Sequence, residues 1–252
     1  VSIFQKLFWR IWQLVEEIDR RFREDMAHRG LDQGRIDYMA PVSNGQVHMA
    51  WIACYAAYSI NGVAALHTEI IKADTLSEWH ELWPEKFNNK PNGVTPRRWL
   101  KMCNRPLAAL ITKTIGEGWE ADLDRLKELE PHVKKPAFLK DFDAAKRENK
   151  VALAGWIKDH CGVTVSADAL FDVQVKRIHE YKRQLLNILE TIARYHDIKA
   201  DPQKDWVPRV KIFGGKAAPG YAVAKEIIHL INDVARVVNA DPDVGDKLKI
   251  VY

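Results

Sequence analysis

Cysteine is scarce in this sequence, and its three cysteines lie far apart. Cys54, Cys103 and Cys161 form no C-x-x-C pair, and their number is odd. This excludes a disulfide framework and a cysteine-based zinc cluster, and it is typical of a protein from the reducing cytoplasm. The nine histidines include no H-E-x-x-H pattern, so no metal site is predicted.

Long apolar runs are also missing. The most apolar stretch, residues 47–72, is interrupted by Asn61, Gly62 and His67, whereas a membrane span needs about 18 or more largely apolar residues in a row. We predict instead one long buried helix over residues 46–72. The net charge is only +4, from 38 basic and 34 acidic residues, so total charge does not indicate nucleic-acid binding.

Several catalytic motifs are absent as well. The sequence has no G-x-S-x-G elbow and no G-x-G-x-x-G fingerprint. The stretch FGGKAAPGY, residues 213–221, is not a P-loop, because Ala217 occupies the position of the magnesium-binding serine or threonine. We interpret it as a tight connection between a strand and a helix, in which Tyr221 is either a stacking surface or a packing group.

Hydrophobic periodicity predicts an α/β fold whose first part is helical. After residue 169 the period changes, and strands are predicted at 171–175, 209–214 and 248–252 with helices at 180–197 and 219–239 between them. This β-α-β-α-β order predicts the start of a Rossmann-like parallel sheet. Helices are predicted for the remaining regular structure, among them two at 136–149 and 150–161.

The segment NNKPNGVTPRRWL, residues 88–100, interrupts the helical pattern. An Asn-Gly pair and two prolines disfavour regular structure, so a domain boundary or hinge is predicted near residue 95. Asn92 is then either a turn residue, as is common for Asn-Gly, or a ligand-binding amide on the hinge loop.

The stretch FDVQVKRIHEYKRQLLN, residues 171–187, concentrates positive charge where a strand gives way to a helix. We call its five potential cations the cationic seam: Lys176, Arg177, His179, Lys182 and Arg183. In open parallel sheets ligands bind at the carboxyl ends of strands, and a helix start offers free N–H groups to an anion. The seam therefore predicts a phosphate site. The alternative is a solvated basic helix start that Glu180 partly neutralises.

These stretches resemble the α-glucan phosphorylases, the family of glycogen, starch and maltodextrin phosphorylases. The resemblance also includes SINGVAALHTEIIK, NGVTPRRWL, GGKAAPGY and VVNADPDVGDKLKIVY, and it extends over almost the whole chain. It implies a two-lobed glycosyltransferase of the GT-B type. Residues 1–95 would be the helical end of the N-terminal lobe with its hinge loop, and residues 96–252 the first part of the C-terminal, cofactor-binding lobe.

The resemblance implies phosphorolysis, in which a terminal α-1,4-linked glucose of a glucan is transferred to inorganic phosphate and released as glucose 1-phosphate. The implied cofactor is pyridoxal 5′-phosphate, which the family uses through its phosphate group. Lys176 would contact that phosphate and Trp99 would line the cofactor pocket. A cytoplasmic homodimer without membrane or nucleic-acid partners is expected.

The substrate-binding residues can be carried over in the same way. Arg177 and Lys182 would hold the substrate phosphate during catalysis, and Asn92 would hydrogen-bond the glucose. Tyr221 would match an aromatic stacking site at the mouth of the cleft.

The sequence departs from the family pattern at some positions. Ile11 replaces the histidine with which many members contact glucose, and Pro91 replaces a usual threonine. Because the chain starts with valine and stops in an apolar run, we expect it to be a piece of a longer protein. The family's Schiff-base lysine is not in this chain, so the piece alone is expected to be inactive.

Two alternatives remain open at this point. One is a non-catalytic anion- or carbohydrate-binding module that kept the motif. The other is a nucleic-acid binder that uses Tyr181 with Lys182 and Arg183, but its cations converge on one point instead of following a backbone.

Overall fold

A computed structural model describes residues 1–252. The chain divides into two compact units, Val1–Val94 and Thr95–Tyr252, and the division lies in the proline-rich loop that follows Asn92. None of the helices combines the length and the apolar content that a membrane span requires.

The first unit is mainly helical but also contains four short strands. Its helices are α1 (Ser2–Leu7), α2 (Trp9–His28), α3 (Gln33–Met39), α4 (Met49–Ala56), α5 (Ala65–Ile70) and α6 (Ser77–Leu82). Its strands are β1 (Val42–Ser43), β2 (Gln46–Val47), β3 (Ile60–Gly62) and β4 (Phe87–Asn89). β1 and β2 pair antiparallel, whereas β3 and β4 pair parallel. The expectation that only helices occur outside the main sheet is therefore wrong for this unit.

The prediction of one long buried helix over residues 46–72 is also wrong. The helix α4 ends at Ala56, and the chain then runs through β3 before α5 begins. A Cβ atom on Gly62 would lie 2.6 Å from the Cα of Thr68, so the backbone approaches itself where only glycine fits. The pairing of β3 with β4 stabilises this extended segment against the helix that its apolar residues favour.

Aromatic side chains form the core of the first unit. The ring centroid of buried Trp79 lies 5.6 Å from that of Trp83, 5.9 Å from that of Trp51 and 5.7 Å from that of Phe22. The side chains of Phe22 and Met26 pack α2 against this core. The aromatic cluster thus joins helices that are more than fifty residues apart in sequence.

The second unit contains the longer helices and the main sheet. Its helices are α7 (Arg105–Ile115), α8 (Pro136–Cys161), α9 (Gln184–Ala200) and α10 (Ala222–Ala240). Its strands are β5 (Leu170–Val175), β6 (Arg209–Gly214) and β7 (Leu248–Val251). A π-helical segment at Arg97–Met102 and a 3-10 segment at Leu123–His132 flank α7. The predicted helices at 136–149 and 150–161 are one continuous helix, α8, because no breaking residue separates them.

The predicted parallel sheet is confirmed. β5, β6 and β7 lie in that order and are all parallel, with α9 and α10 as the crossovers. The prediction of an α/β fold with β-α-β-α-β order is therefore correct, and each strand lies within one residue of its expected position.

Alternate residues of β6 point to opposite faces of this sheet. Val210 and Ile212 pack with Ile157 of α8 on one face. Phe213 packs with α9 and α10 on the other face, together with β7. Both crossover helices thus cover the same face, and their N-terminal ends lie at the edge where the strands end.

The last turns of α9 and the end of α10 are joined by a polar cluster. The hydroxyl of Tyr195 donates to Asp241 (2.7 Å), and Lys199 lies 3.1 Å from the same carboxylate and 2.6 Å from that of Asp243. The hydrogen bond from Tyr195, assisted by Lys199, lowers the pKa of Asp241 from 3.8 to about 2.

Because of this cluster, part of the folding stability is lost at low pH. The pKa of Asp241 is lower in the folded protein than in the unfolded chain. Its carboxylate therefore contributes fully to folding stability above pH 3.8, and that contribution is lost as the pH falls towards about 2. We expect Asp241→Asn to reduce the drop in thermal midpoint between about pH 5 and pH 2. Asp159→Asn, at an exposed carboxylate on α8, is the control, and an equal change in both variants would contradict the prediction.

Candidate functional site

The loops that follow β5 and β6 lie backbone against backbone. The amide of Lys176 donates to the carbonyl of Gly214 (2.9 Å), and the amide of Ile178 donates to the carbonyl of Lys216 (3.3 Å). A Cβ atom on Gly215 would lie 2.1 Å from the carbonyl oxygen of Lys176, so no other residue fits there without displacing backbone. The two loops therefore present their side chains next to each other at the carboxyl edge of the sheet.

The lysines and arginines of the cationic seam have no counterions within the chain. They are exposed, except for the half-buried Lys182. The carboxylates of Asp172 and Glu190, on the same face of the sheet, pair instead with Arg209 and Lys211. Four permanent cations within eight residues repel one another, and an anion bound among them would relieve that repulsion.

Glu180 does not neutralise the seam. Its Oε2 accepts a hydrogen bond from the hydroxyl of Tyr221 (2.6 Å), and its backbone amide donates to the same hydroxyl (3.2 Å). The bond to the carboxylate raises the pKa of Tyr221 above its ordinary value. The alternative of a helix start that is partly neutralised by Glu180 therefore lacks the ion pair on which it depends.

His179 lies between two tyrosine rings. Its ring centroid is 4.4 Å from that of Tyr181 and 5.0 Å from that of Tyr221. Its Nδ1 accepts a hydrogen bond from the backbone amide of Tyr181 (3.4 Å). These contacts give His179 a place in the wall of the site.

Gln184 is fully buried and fixes the backbone of the seam. Its Nε2 donates to the carbonyl of Arg177 (3.2 Å), and its Oε1 accepts from the amide of His179 (3.3 Å). The sequence-based prediction did not include this residue. The available signal is its position four residues before Ile188 on the buried face of α9, where a polar side chain needs a partner.

Two open cavities meet at the seam. The first has a volume of about 620 Å³ and is lined by Arg177, Ile178, His179, Tyr181, Lys182, Lys216, Ala217, Ala218, Pro219 and Tyr221. The second has a volume of about 680 Å³ and is lined by Asp172, Val173, Gln174, Lys176, Lys182, Arg183, Leu186, Asn187, Glu190, Arg209 and Lys211. Lys182 is the one residue that lines both. Lys216, in the tight connection between β6 and α10, adds another cation to the first cavity.

The structure brings together four of the six predicted site residues. Lys176, Arg177, Lys182 and Tyr221 all line one or both of these cavities. Trp99 lies on the π-helical segment Arg97–Met102, is 61% exposed and lines neither cavity.

Asn92 belongs to the first unit and is exposed. Its backbone amide donates to the carbonyl of Val63 (3.1 Å), and its side-chain amide makes no hydrogen bond within the chain. Pro91, the neighbouring departure from the family pattern, is also exposed, as is Ile11 on α2.

Comparison with known proteins gives a match over the full length of the chain. The family model described as carbohydrate phosphorylase matches residues 1–252. A protein named glycogen phosphorylase from Synechocystis is 47% identical over 256 residues, covering 100% of this chain and 30% of the relative. Glycogen phosphorylase 2 of Dictyostelium discoideum is 47% identical over 257 residues, covering 100% of this chain and 26% of the relative.

A vertebrate relative shows the same pattern of coverage. The muscle form of glycogen phosphorylase from Homo sapiens is 44% identical over 257 residues, covering 100% of this chain and 30% of the relative. The chain thus spans less than a third of the length of these relatives.

Proposed function

This chain belongs to the carbohydrate phosphorylase family, and we propose that it is part of a glycogen phosphorylase. The reaction is the transfer of a terminal α-1,4-linked glucose from the glucan to inorganic phosphate, with retention of configuration and release of glucose 1-phosphate. Family membership confirms the resemblance that the motifs predicted. No observation favours a non-catalytic binding module or a nucleic-acid binder.

The cationic seam is the observation that carries this proposal. It combines cations that lack counterions, the close backbone approach at Gly215 and the N-terminus of α9 at the carboxyl edge of a parallel sheet. The cations and the helix N-terminus favour a phosphate group, while Gly215 lets the two loops that carry the cations lie side by side.

Arg177 and Lys182 bind the substrate phosphate in this proposal. The planar guanidinium of Arg177 pairs with two phosphate oxygens and orients them, while the Lys182 ammonium acts as a mobile point charge. Both line the first cavity. Tyr221, which also lines that cavity, is the proposed stacking surface for a planar group.

Pyridoxal 5′-phosphate is the proposed cofactor, and the donor set of the second cavity fits its phosphate group. Lys176 is exposed and has no ion pair there, so its ammonium is free to neutralise a phosphate. When bound, the cofactor supplies a phosphate that can give and take a proton next to the substrate. Lys176 offsets the repulsion between two neighbouring phosphates, and Trp99 is the proposed contact for the remainder of the cofactor.

The remaining roles concern the whole enzyme. We assign Val1–Val94 to an N-terminal lobe and Thr95–Tyr252 to a C-terminal, cofactor-binding lobe of a GT-B type enzyme. Asn92 hydrogen-bonds the glucose, and Ile11 contributes no polar contact to it. The enzyme is proposed to be a cytoplasmic homodimer.

An assay of the enzyme that contains this chain tests the proposed function. Incubation with glycogen and inorganic phosphate is expected to release glucose 1-phosphate, which phosphorus NMR identifies directly. Removal of pyridoxal 5′-phosphate should abolish the release, and its return should restore it. The 252-residue chain alone is the control and should be inactive, because it spans 26–30% of its relatives. Release of free glucose without consumption of phosphate would contradict the proposal.

A further inference from the structure

Lys211 is a buried lysine on the central strand of the sheet. It lies on β6 directly opposite Asp172 of β5 and is 3% exposed. Its Nζ lies 2.7 Å from Asp172 and 2.6 Å from Glu190 of α9. Burial acts to raise the pKa of Glu190, but the hydrogen bonds from Lys211 and Arg194 outweigh it and lower that pKa. The ammonium is thus held in one place by charged partners from two elements.

A third partner of Lys211 begins a chain of side-chain amides. Nζ donates to Oδ1 of Asn187 (2.9 Å), and Nδ2 of Asn187 donates to Oε1 of Gln174 (2.9 Å). Nε2 of Gln174 then donates to the backbone carbonyl of Lys182 (2.9 Å). We call these three hydrogen bonds the amide relay. It connects a buried strand lysine with the backbone of the cationic seam.

The direction of the amide relay depends on its first member. A lysine ammonium has three donors and no acceptor, whereas each amide side chain can face either way. Because Lys211 can only donate, the oxygen of Asn187 faces it and the NH₂ group faces Gln174. The same logic turns the NH₂ group of Gln174 towards the carbonyl of Lys182.

The carbonyl of Lys182 is a point that needs such support. It ends the 3-10 turn Glu180–Lys182, and the next residue, Arg183, has φ = +63°. A side chain other than glycine is disfavoured in this left-handed region. The donation from Gln174 is the hydrogen bond that this carbonyl receives. The amide relay therefore stabilises a strained turn from which Lys182 extends towards both cavities.

We propose that Lys211 is a positioning residue for phosphate binding, acting through Asn187 and Gln174 on the backbone of Lys182. Lys211 does not touch the phosphate in this scheme. The inference rests on the proposed function, because it assumes that the cationic seam binds the substrate phosphate.

A double-mutant cycle on the intact enzyme tests the relay. Gln174→Met keeps the length and charge of the site but removes the donor to the Lys182 carbonyl. It should lower the affinity for inorganic phosphate about threefold to tenfold, the effect of one lost hydrogen bond. Lys211→Met should lower the affinity for phosphate by at least as much. In the Lys211→Met background, Gln174→Met should lower the phosphate affinity by less than about a further twofold. Without Lys211, nothing fixes which way the amides of Asn187 and Gln174 face, so the donation to the Lys182 carbonyl is already weakened.

Two measurements separate positioning from general loss of structure. Calorimetric titration with inorganic phosphate, without glucan, gives the affinity directly. In steady-state kinetics the KM for phosphate should rise while the KM for glucan stays constant. Lys249→Met is the matched control, because it removes a lysine from the neighbouring strand β7 whose Nζ donates to the carbonyl of Asn239 (3.2 Å). It should change neither value.

The possible outcomes distinguish the inference from the proposed function. If phosphate binds and Arg177→Lys weakens it, but Gln174→Met has no effect or adds fully to Lys211→Met, the relay is wrong and the function stands. If Arg177→Lys leaves the phosphate affinity unchanged, the proposed site itself is wrong. Asn187→Leu removes the hydrogen bonds from Lys211 and to Gln174 without changing the charge. It replaces Gln174→Met or Lys211→Met in the cycle if either of those variants does not fold.

Discussion

Replacing Arg177 by lysine is expected to lower kcat/KM for phosphate about tenfold to hundredfold. The substitution keeps the positive charge but removes the planar fork that pairs with two phosphate oxygens. One lost charge-assisted hydrogen bond is worth about 1.5–3 kcal/mol. That free energy corresponds to the roughly tenfold to hundredfold decrease in kcat/KM. Phosphate-dependent initial rates of the whole enzyme measure the effect. The cofactor should remain bound, because Lys176 is unchanged.

Arg183→Lys is the matched control for this prediction. Arg183 belongs to the same exposed cluster but lines the second cavity instead of the first. The same chemical change at this position should have little effect on phosphate kinetics. Equal damage from both substitutions would mean that the seam is a basic surface and not a phosphate site.

Gly215→Ala is expected to have a second large effect. The new Cβ atom would lie 2.1 Å from the carbonyl oxygen of Lys176 and 2.9 Å from its carbonyl carbon. Backbone atoms cannot turn away as a flexible side chain can, so the two loops must separate. Forced overpacking of this kind costs about 1–3 kcal/mol of stability. A displacement of about 1 Å at the seam should lower kcat/KM roughly a hundredfold.

Gly220→Ala isolates the steric cause of that loss. Gly220 lies in the same connection between β6 and α10, but a Cβ atom there would meet nothing within 4 Å. Thermal melting and phosphate kinetics of the two variants can be compared directly. A Gly215→Ala enzyme as stable and as active as the Gly220→Ala enzyme would refute the close approach on which the site depends.

The sequence was most informative where local pattern determines structure. The three strands of the main sheet alternate with helices at a regular spacing, so period and length were sufficient to predict their order. Residues 46–72 show the limit. Their apolar content fits a helix, but the extended segment at β3 depends on pairing with Asn88 and its neighbours, 27 residues further along. A single-sequence pattern does not contain that contact.

In the candidate site too, the features that depend on local sequence were predictable and those that depend on long-range contacts were not. The cations of the seam are adjacent in sequence, and their position after a strand was enough to predict an anion site. The amide relay was not predictable, because it needs the register that places Asp172 opposite Lys211 and the contact of α9 with this pair. Polar residues such as Gln174 and Asn187 are common on strands and helices, and only the packing shows that they form a chain.

A crystal structure of the enzyme saturated with inorganic phosphate tests directly whether the cationic seam binds phosphate. We expect a phosphate ion in the first cavity, with its oxygens about 2.7–3.2 Å from the Arg177 guanidinium and the Lys182 ammonium. Its position should leave room for a second phosphate group at Lys176. A phosphate bound elsewhere, or a seam whose cations pair with carboxylates and hold no anion, would show that the seam is not a phosphate site.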